Sequence, residues 1–211
     1  MPTSYPSPAE AGAAPAALET PAAPAGRLLK RALVAVAALV VAAGAYAVWG
    51  LPPDVETITA GRVYKSGTLP HETLLEEVQR YGVRTVIDLR ETPEDVAAEG
   101  AALSTIGVDH ISIPSSQVPK PEVVDRFLEV MDDESHYPVL IHCRHGYGRA
   151  QVFSAIYRME YEGWENDAAR RKTRSALRLP FSGFAEGEPK GKFLLSYQPT
   201  RAGASAASAS E

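Results

Sequence analysis

The architecture of this chain follows from eleven consecutive residues, Val139-Leu140-Ile141-His142-Cys143-Arg144-His145-Gly146-Tyr147-Gly148-Arg149. The three apolar residues that open this segment predict a buried strand, and the residues after Arg149 predict a helix. Between strand and helix lie a cysteine, five residues that include two glycines, and an arginine. In a strand–loop–helix of this kind the loop amides and the helix N-terminus converge on one point, which suits an oxyanion of phosphate size.

Cys143 is the predicted nucleophile of this loop. It lies at the N-terminus of a helix and beside Arg144 and Arg149, a setting that favours the thiolate over the thiol. A thiolate there would attack phosphorus in line and form a cysteinyl-phosphate, which water then hydrolyses. The other interpretation is a buried structural cysteine at a strand end, but that role does not require two glycines and an arginine at these positions.

The other loop residues are predicted to bind the phosphate. Gly146 and Gly148 let the backbone turn where a Cβ would obstruct it, and Arg149 offers a planar fork to two phosphate oxygens. The predicted phosphate-binding set comprises Arg144, His145, Gly146, Tyr147, Gly148 and Ala150.

These residues resemble the signature of a known family. His142-Cys143, five further residues and Arg149 are similar to the His-Cys-(five residues)-Arg signature of the cysteine-dependent protein tyrosine and dual-specificity phosphatases. The Gly-x-Gly-Arg ending resembles the dual-specificity branch in particular. Residues 62–67 and 85–90 resemble the first two strands of small bacterial members. The resemblance implies that Cys143 is the nucleophile and Arg149 the phosphate clamp.

The chain departs from this family pattern at two positions. The family usually places Ser or Thr directly after the arginine, where this chain has Ala150. It also usually carries an aspartic acid, the general acid, on the loop that corresponds to residues 113–119, and this loop has no carboxylate. Asp109, the nearest upstream carboxylate, and His145, inside the loop, are the two candidates for the general acid.

The alternation of strands and helices predicts an α/β fold with a mostly parallel central sheet and helices on both faces. Strands are expected at residues 63–64, 83–89, 109–113 and 139–141, and helices at 70–81, 93–106, 121–131, 150–161, 165–175 and 190–197. The phosphatase-like domain would occupy residues 54–197. Residues 198–211, rich in Ala and Ser, are predicted to be disordered, and so are residues 1–26, which are mostly Pro and Ala.

A single transmembrane helix is predicted at residues 27–51, before the globular domain. The run from Ala32 to Trp49 contains no charge, and as a helix it would be about 27 Å long, close to the thickness of the hydrocarbon core. Cations precede the run and carboxylates follow it, which predicts a cytoplasmic N-terminus and a catalytic domain on the outer, periplasmic side of the cytoplasmic membrane. An uncleaved signal anchor, a cleaved signal peptide and a buried apolar helix are the three interpretations.

Composition excludes other classes of protein. The 211 residues carry a net charge of −5, which argues against a general nucleic-acid binder. One cysteine excludes an internal disulfide, so the stability of the domain must come from its core. No cofactor or metal motif is present, and the expected partners are a phosphorylated protein or a small or lipid phosphate, together with the membrane.

Two charged features have alternative interpretations. Asp88 and Arg90 fall at the C-terminal end of a predicted strand, where they would either contact the phosphate loop or form a salt bridge that braces it. A basic cluster near the C-terminus is either a solvated helix face or a rim that attracts anions. Its members are Arg170, Arg171, Lys172, Arg174 and Arg178.

The sequence thus predicts a membrane-anchored, cysteine-dependent phosphatase that hydrolyses phosphomonoesters. The main alternative is a pseudophosphatase that binds phosphorylated protein or lipid with little turnover, which Ala150 and the missing loop carboxylate favour. A third hypothesis is a rhodanese-like sulfurtransferase, which also places a cysteine loop before a helix. Five intervening residues and a closing arginine fit phosphate better.

Overall fold

The computed structural model describes residues 25–49, 55–172 and 183–201. The chain divides into two units, residues 1–51 and 52–211. The first unit contains helix α1 (Ala25–Trp49), and large apolar side chains in the middle of this helix, such as Val34 and Val41, are exposed. Residues 1–24 and 202–211, most of the two predicted disordered ends, lie outside the described residues.

The transmembrane helix predicted at residues 27–51 is not found. A helix does form there, but in the part of the chain that the structure describes, no helix is both long enough and apolar enough to cross a membrane. The coarser prediction, an α/β domain, is confirmed by the second unit.

Five strands form one sheet in the second unit, in the order β1-β2-β5-β3-β4. Neighbouring strands are parallel except for β1, which pairs antiparallel with β2 at one edge. The strands are β1 (Glu56–Thr59), β2 (Val63–Ser66), β3 (Thr85–Asp88), β4 (Asp109–Ser112) and β5 (Val139–His142). The sheet is therefore mixed, and β1 was not predicted because its four residues carry no run of apolar side chains.

Six helices connect and cover the strands among the described residues of this unit. They are α2 (His71–Arg80), α3 (Pro93–Ser104), α4 (Pro121–Met131), α5 (Arg149–Tyr161), α6 (Asn166–Lys172) and α7 (Pro189–Ser196). Prolines open α3, α4 and α7, where a missing backbone N–H costs no helical hydrogen bond.

Alternate residues of β5 pack on opposite faces of the sheet, as the period of two requires. Val139 and Ile141 join the larger apolar cluster, with the buried faces of α4 and α5, whereas Leu140 joins the smaller cluster with α2 and α3. Helices therefore cover both faces, as predicted. Because both faces are buried, a one-residue slip of β5 would exchange its two sets of side chains, and this fixes the register that positions Cys143.

The basic cluster predicted near the C-terminus is only partly a solvated face. Arg170 is buried: it donates to the main-chain oxygen of Phe184 at 2.9 Å and pairs with Asp167 and Glu186. Arg171 and Lys172 are exposed. Arg174 and Arg178 lie outside the described residues, as does the end of the helix predicted at residues 165–175.

Candidate active site

The predicted phosphate loop connects β5 to α5, at the edge where the parallel strands end. The Cys143 side chain is buried there, and the carbonyls at the start of the loop are bound by one residue outside it. Thr68 donates through its amide to the Arg144 oxygen at 3.2 Å and through its hydroxyl to the Cys143 oxygen at 3.4 Å. Because a trans peptide directs its N–H opposite to its C=O, these contacts turn the amides of Arg144 and His145 away from Thr68.

The two loop glycines lie in close contact with neighbouring segments. Gly146 has a φ of +74°, and a Cβ there would lie 2.8 Å from the Gly67 nitrogen and 3.0 Å from the Ser66 carbonyl carbon. At Gly148 a Cβ would lie 2.7 Å from Oε1 of Gln117. The end of β2 and the loop at residues 113–119 thus pack directly against the phosphate loop.

Gly146→Ala should distort the phosphate loop, because the substitution adds both backbone strain and a clash with main-chain atoms that cannot move cheaply. Gly61→Ala is the matched control: Gly61 has the same φ of +74° but nothing within 4 Å of a Cβ. We expect both variants to lose some thermal stability. Only Gly146→Ala should lose phosphatase activity, by up to about 10²-fold. Equal activity in the two variants would show that the close packing of the loop is not required.

Arg149, the first residue of α5, is held by main-chain oxygens. Its Nη1 donates to the carbonyl of Leu89 at 2.7 Å and of Ser115 at 3.1 Å, and lies 3.5 Å from a carboxylate oxygen of Glu91. Among the described residues, its Nε is buried without a hydrogen-bond partner. The guanidinium is therefore fixed by one nitrogen, and the hydrogen-bonding capacity of Nε is unused among the described residues.

A cluster of buried charged side chains lies beside the loop. His142, which precedes the nucleophile, has Nε2 at 2.7 Å from Oε1 of Glu99, although the angle is not that of a hydrogen bond. His110 Nε2 lies 3.5 Å from oxygens of both Asp88 and Glu99. Arg90 donates to Asp88 at 2.7 Å and to Glu99 at 2.8 Å. Asp88 and Arg90 therefore form a buried salt bridge, one of the two predicted roles.

The contacts in this buried cluster shift the pKa values of its members. Burial alone would lower the pKa of His110, but the carboxylates of Asp88 and Glu99 outweigh burial and raise that pKa from 6.5 to about 9. Burial alone would raise the pKa of Glu99, yet His110, His142 and Arg90 lower it from 4.5 to about 2. At neutral pH these carboxylates are ionised and His110 is a cation.

Because the pKa of His110 is raised, the free energy of unfolding should depend on pH in the alkaline range. Its contribution is fully present below pH 6.5 and is lost as the pH rises through about 9, a loss on the order of 3 kcal/mol. We expect the Tm to fall by several degrees between pH 6.5 and pH 9.5. In His110→Gln, which cannot titrate, the fall should be clearly smaller. A variant whose pH profile parallels that of the wild type would show that His110 is not charged in the folded protein.

Four members of this cluster are residue types that ligate metals. The ligand atoms of Asp88, Glu99, His110 and His142 all lie within 4.8 Å of one another. However, Arg90 donates to both carboxylates, so the two negative charges already have a fixed cation. We interpret the cluster as an ionic brace and assign no metal to it.

The structure places the two candidate general acids differently. Asp109 begins β4, level with Thr85 and Val139 at the start of their strands. Cys143 follows the other end of β5, about 13 Å away along the strand direction. Asp109 is therefore too far from the thiol to protonate a leaving group, and this assignment is wrong. His145 is exposed on the loop and lines a groove with Tyr147 and residues of β2.

Two residues near Arg149 and Gly148 were missed in the sequence. Glu91 approaches the Arg149 guanidinium, and the Gln117 carboxamide covers Gly148. Both belong to segments that follow the C-terminal ends of β3 and β4, where ligands of parallel sheets bind. Their place after strand ends could have marked both segments as parts of the site. It does not indicate which side chain of each segment turns towards the loop.

Comparisons with known proteins agree with this site. The family model described as DSP-PTPase phosphatase fused to NAD+ kinase matches residues 54–182. The dual specificity protein phosphatase TpbA of Pseudomonas aeruginosa (strain UCBPP-PA14) is 31% identical over 109 residues, which are 51% of this chain and 47% of TpbA. The chain thus spans about half the length of the curated relatives it matches.

Solved structures show the same fold. The crystal structure of P. aeruginosa TpbA has a TM-score of 0.51 at 23% identity, and the match covers 65% of this chain and 81% of that one. The catalytic core of the S. cerevisiae PP-IP phosphatase Siw14 has a TM-score of 0.57 at 18% identity, covering 76% and 95%. The resemblance to cysteine-dependent phosphatases is confirmed: because the family model covers more than half of the chain and includes the whole loop from Cys143 to Arg149, the chain belongs to this DSP-PTPase phosphatase family.

Proposed function

We propose that this protein is a cysteine-dependent phosphatase that hydrolyses phosphomonoesters through a cysteinyl-phosphate. One observation carries the proposal: a buried thiol directly after β5 lies six residues before Arg149, the first residue of α5, whose Nη1 is fixed by two carbonyls and whose Nε has no partner among the described residues. A dianionic phosphate would meet positive charge from the guanidinium and the helix N-terminus at once.

In the first step the Cys143 thiolate attacks phosphorus in line. The S–P bond forms, the P–O bond to the leaving group breaks, and the leaving oxygen takes up a proton. In the second step water attacks the cysteinyl-phosphate, the S–P bond breaks, and inorganic phosphate and the thiolate are regenerated. Arg149 and the loop amides stabilise the equatorial oxygens in both steps.

His145 is the proposed proton donor, since it lies on the phosphate loop itself and imidazole is the side chain that most often acts as a general acid. Ala150 replaces the hydroxyl that the family usually has after the arginine, and it is fully buried. No side-chain hydroxyl at that position can assist the departure of the thiolate, which predicts a slow second step. An aryl phosphate, whose leaving group needs little protonation, is the substrate type that these residues fit best.

The test of the proposal is Cys143→Ser in the full-length protein, assayed with an aryl phosphate. Turnover should be abolished because the alcohol is a far weaker nucleophile than the thiolate, while vanadate or phosphate binding should persist. In the same assay His145→Gln should reduce the rate of hydrolysis of an alkyl phosphate more than that of an aryl phosphate.

A Ser variant with near-full activity would exclude the covalent mechanism. If the wild type binds phosphate but releases none from any ester, the protein is a phosphate-binding module, the rival function that Ala150 and the carboxylate-free loop at residues 113–119 favour. Sulfur transfer from thiosulfate to cyanide without phosphate release would instead indicate a sulfurtransferase.

A phosphorylated protein is the proposed physiological substrate, since the related TpbA is named a dual specificity protein phosphatase. Tyr147 is an exposed residue of the phosphate loop and, with His145, lines the groove beside that loop. An exposed aromatic side chain in that position would pack against the ring of a phosphotyrosine or the backbone of a phosphopeptide.

We also propose that the N-terminal helix attaches the protein to the cytoplasmic membrane, with the catalytic domain on the periplasmic side. The support is the uncharged run from Ala32 to Trp49, with cations before it and carboxylates after it. The large apolar side chains described within this run are exposed in α1, as they would be if lipid covered them.

Membrane attachment predicts that the full-length protein sediments with membranes and resists extraction by carbonate. Leu39→Asp should release it, because a carboxylate at the centre of a membrane helix costs roughly 3 kcal/mol. A periplasmic reporter fused after Glu211 should be active. If wild type and Leu39→Asp are equally soluble, the apolar run does not enter a membrane, and a reporter active only in the cytoplasm would reverse the proposed orientation.

A further inference from the structure

A lysine from the last helix lies beside the phosphate loop. Lys190 is the second residue of α7, and its Nζ is 3.4 Å from Oε1 of Gln117. The same oxygen occupies the space above Gly148, where it would be 2.7 Å from a Cβ. The ammonium of Lys190 is therefore separated from the phosphate loop by one carboxamide.

Lys190 has no carboxylate partner among the described residues, unlike two other cations near the site. Arg149 approaches Glu91, and Arg90 pairs with Asp88 and Glu99. Burial lowers the pKa of Lys190, and the charge of the Cys143 thiolate opposes this change. The lysine is therefore close enough to the nucleophile to respond to its charge, and a bound anion would favour its protonated form.

Contacts with neighbouring residues hold the Lys190 side chain in place. Its Nζ lies 4.6 Å from the centre of the Phe184 ring, a favourable cation–π contact. Phe184 is itself fully buried, and its main-chain oxygen accepts a hydrogen bond from the buried Arg170. Gly183 has no Cβ, which leaves room for the lysine chain: a Cβ there would lie 2.6 Å from Cε of Lys190.

We propose that Lys190 and Gln117 form an anion subsite beside the phosphate loop, and that this subsite binds a second anionic group of the substrate. The inference rests on the proposed function and gives it a substrate class: phosphomonoesters that carry a further phosphate or carboxylate close to the phosphate that reacts. Gln117 lies within residues 54–182, the part that matches the family model, whereas Lys190 lies in the segment after it.

The competing explanation is that Lys190 only packs on Phe184. A packing role would be served by an apolar side chain, which has no charge to bring out of water, whereas a lysine ammonium is strongly hydrated. Lys192, on the same helix, is exposed, as a lysine without a ligand is expected to be. It provides a matched control for the loss of one positive charge from α7.

The test measures Kd by calorimetry in full-length Cys143→Ser protein, so that no probe is hydrolysed. The probes are inorganic phosphate, which has no second anionic group, pyrophosphate, which has a second phosphate, and phosphonoacetate, which has one carboxylate beside its phosphonate. The Lys190→Met and Lys192→Met substitutions are added to this background. We expect Lys190→Met to raise the Kd of pyrophosphate about tenfold, because one charge-assisted hydrogen bond is lost, and to change the Kd of phosphate less than twofold. Lys192→Met should change neither value, and Lys190→Arg should restore much of the loss.

The two-anion probes identify the second group. If Lys190→Met weakens the binding of both probes, the subsite accepts any anion. If it weakens only pyrophosphate the subsite is specific for phosphate, and if it weakens only phosphonoacetate it is specific for carboxylate. Equal weakening of all three probes in Lys190→Met, or no weakening of any, overturns the subsite. If phosphate itself fails to bind the Cys143→Ser protein, the proposed phosphate loop is wrong, whereas binding without turnover in the wild type refutes the enzyme and leaves the subsite intact.

Discussion

The ionic cluster beside Cys143 is the constraint on which the rest of the site depends. Two ionised carboxylates, Asp88 and Glu99, are removed from water, and buried charges persist only where partners surround them. Here the partners are His110 near the start of β4, His142 at the end of β5 and Arg90 two residues after β3, so these three segments and α3 must meet at one point. Because His142 is both a member of the cluster and the residue before the nucleophile, the same contacts fix where the phosphate loop begins.

The loop itself could be predicted from the sequence because its parts are consecutive. A strand, a cysteine, two glycines and an arginine determine a local geometry, and Cys143, Gly146 and Arg149 occupy the positions expected of them. The salt bridge of Asp88 with Arg90 was also predictable, because two residues at a strand end share one location. Glu99 and His110 were not, since a helix and a separate strand bring them in and periodicity does not specify which polar side chain turns inward.

The error over Asp109 has a related cause. Sequence distance placed it near the loop at residues 113–119, but parallel register makes the first residue of β4 the farthest from the catalytic edge. Sequence order is informative about a site only for residues at strand ends. Lys190 is the opposite case: it is remote in sequence, and α6 and the Phe184 segment bring it to the loop.

Preorganisation and turnover are separate requirements in this site. Carbonyls hold Arg149, Thr68 holds the loop peptides, and the brace fixes the strand end, so an oxyanion finds its ligands already placed. Those contacts stabilise a bound phosphate and the transition state alike, and only interactions that strengthen in the transition state raise the rate. The groups that would do so, an acid for the leaving oxygen and a hydroxyl for the departing thiolate, are the ones in which this chain differs from its family. The rate should therefore depend more on the leaving group than on affinity, and a subsite for a second anion would raise affinity without supplying the loop carboxylate or the hydroxyl that the family usually has.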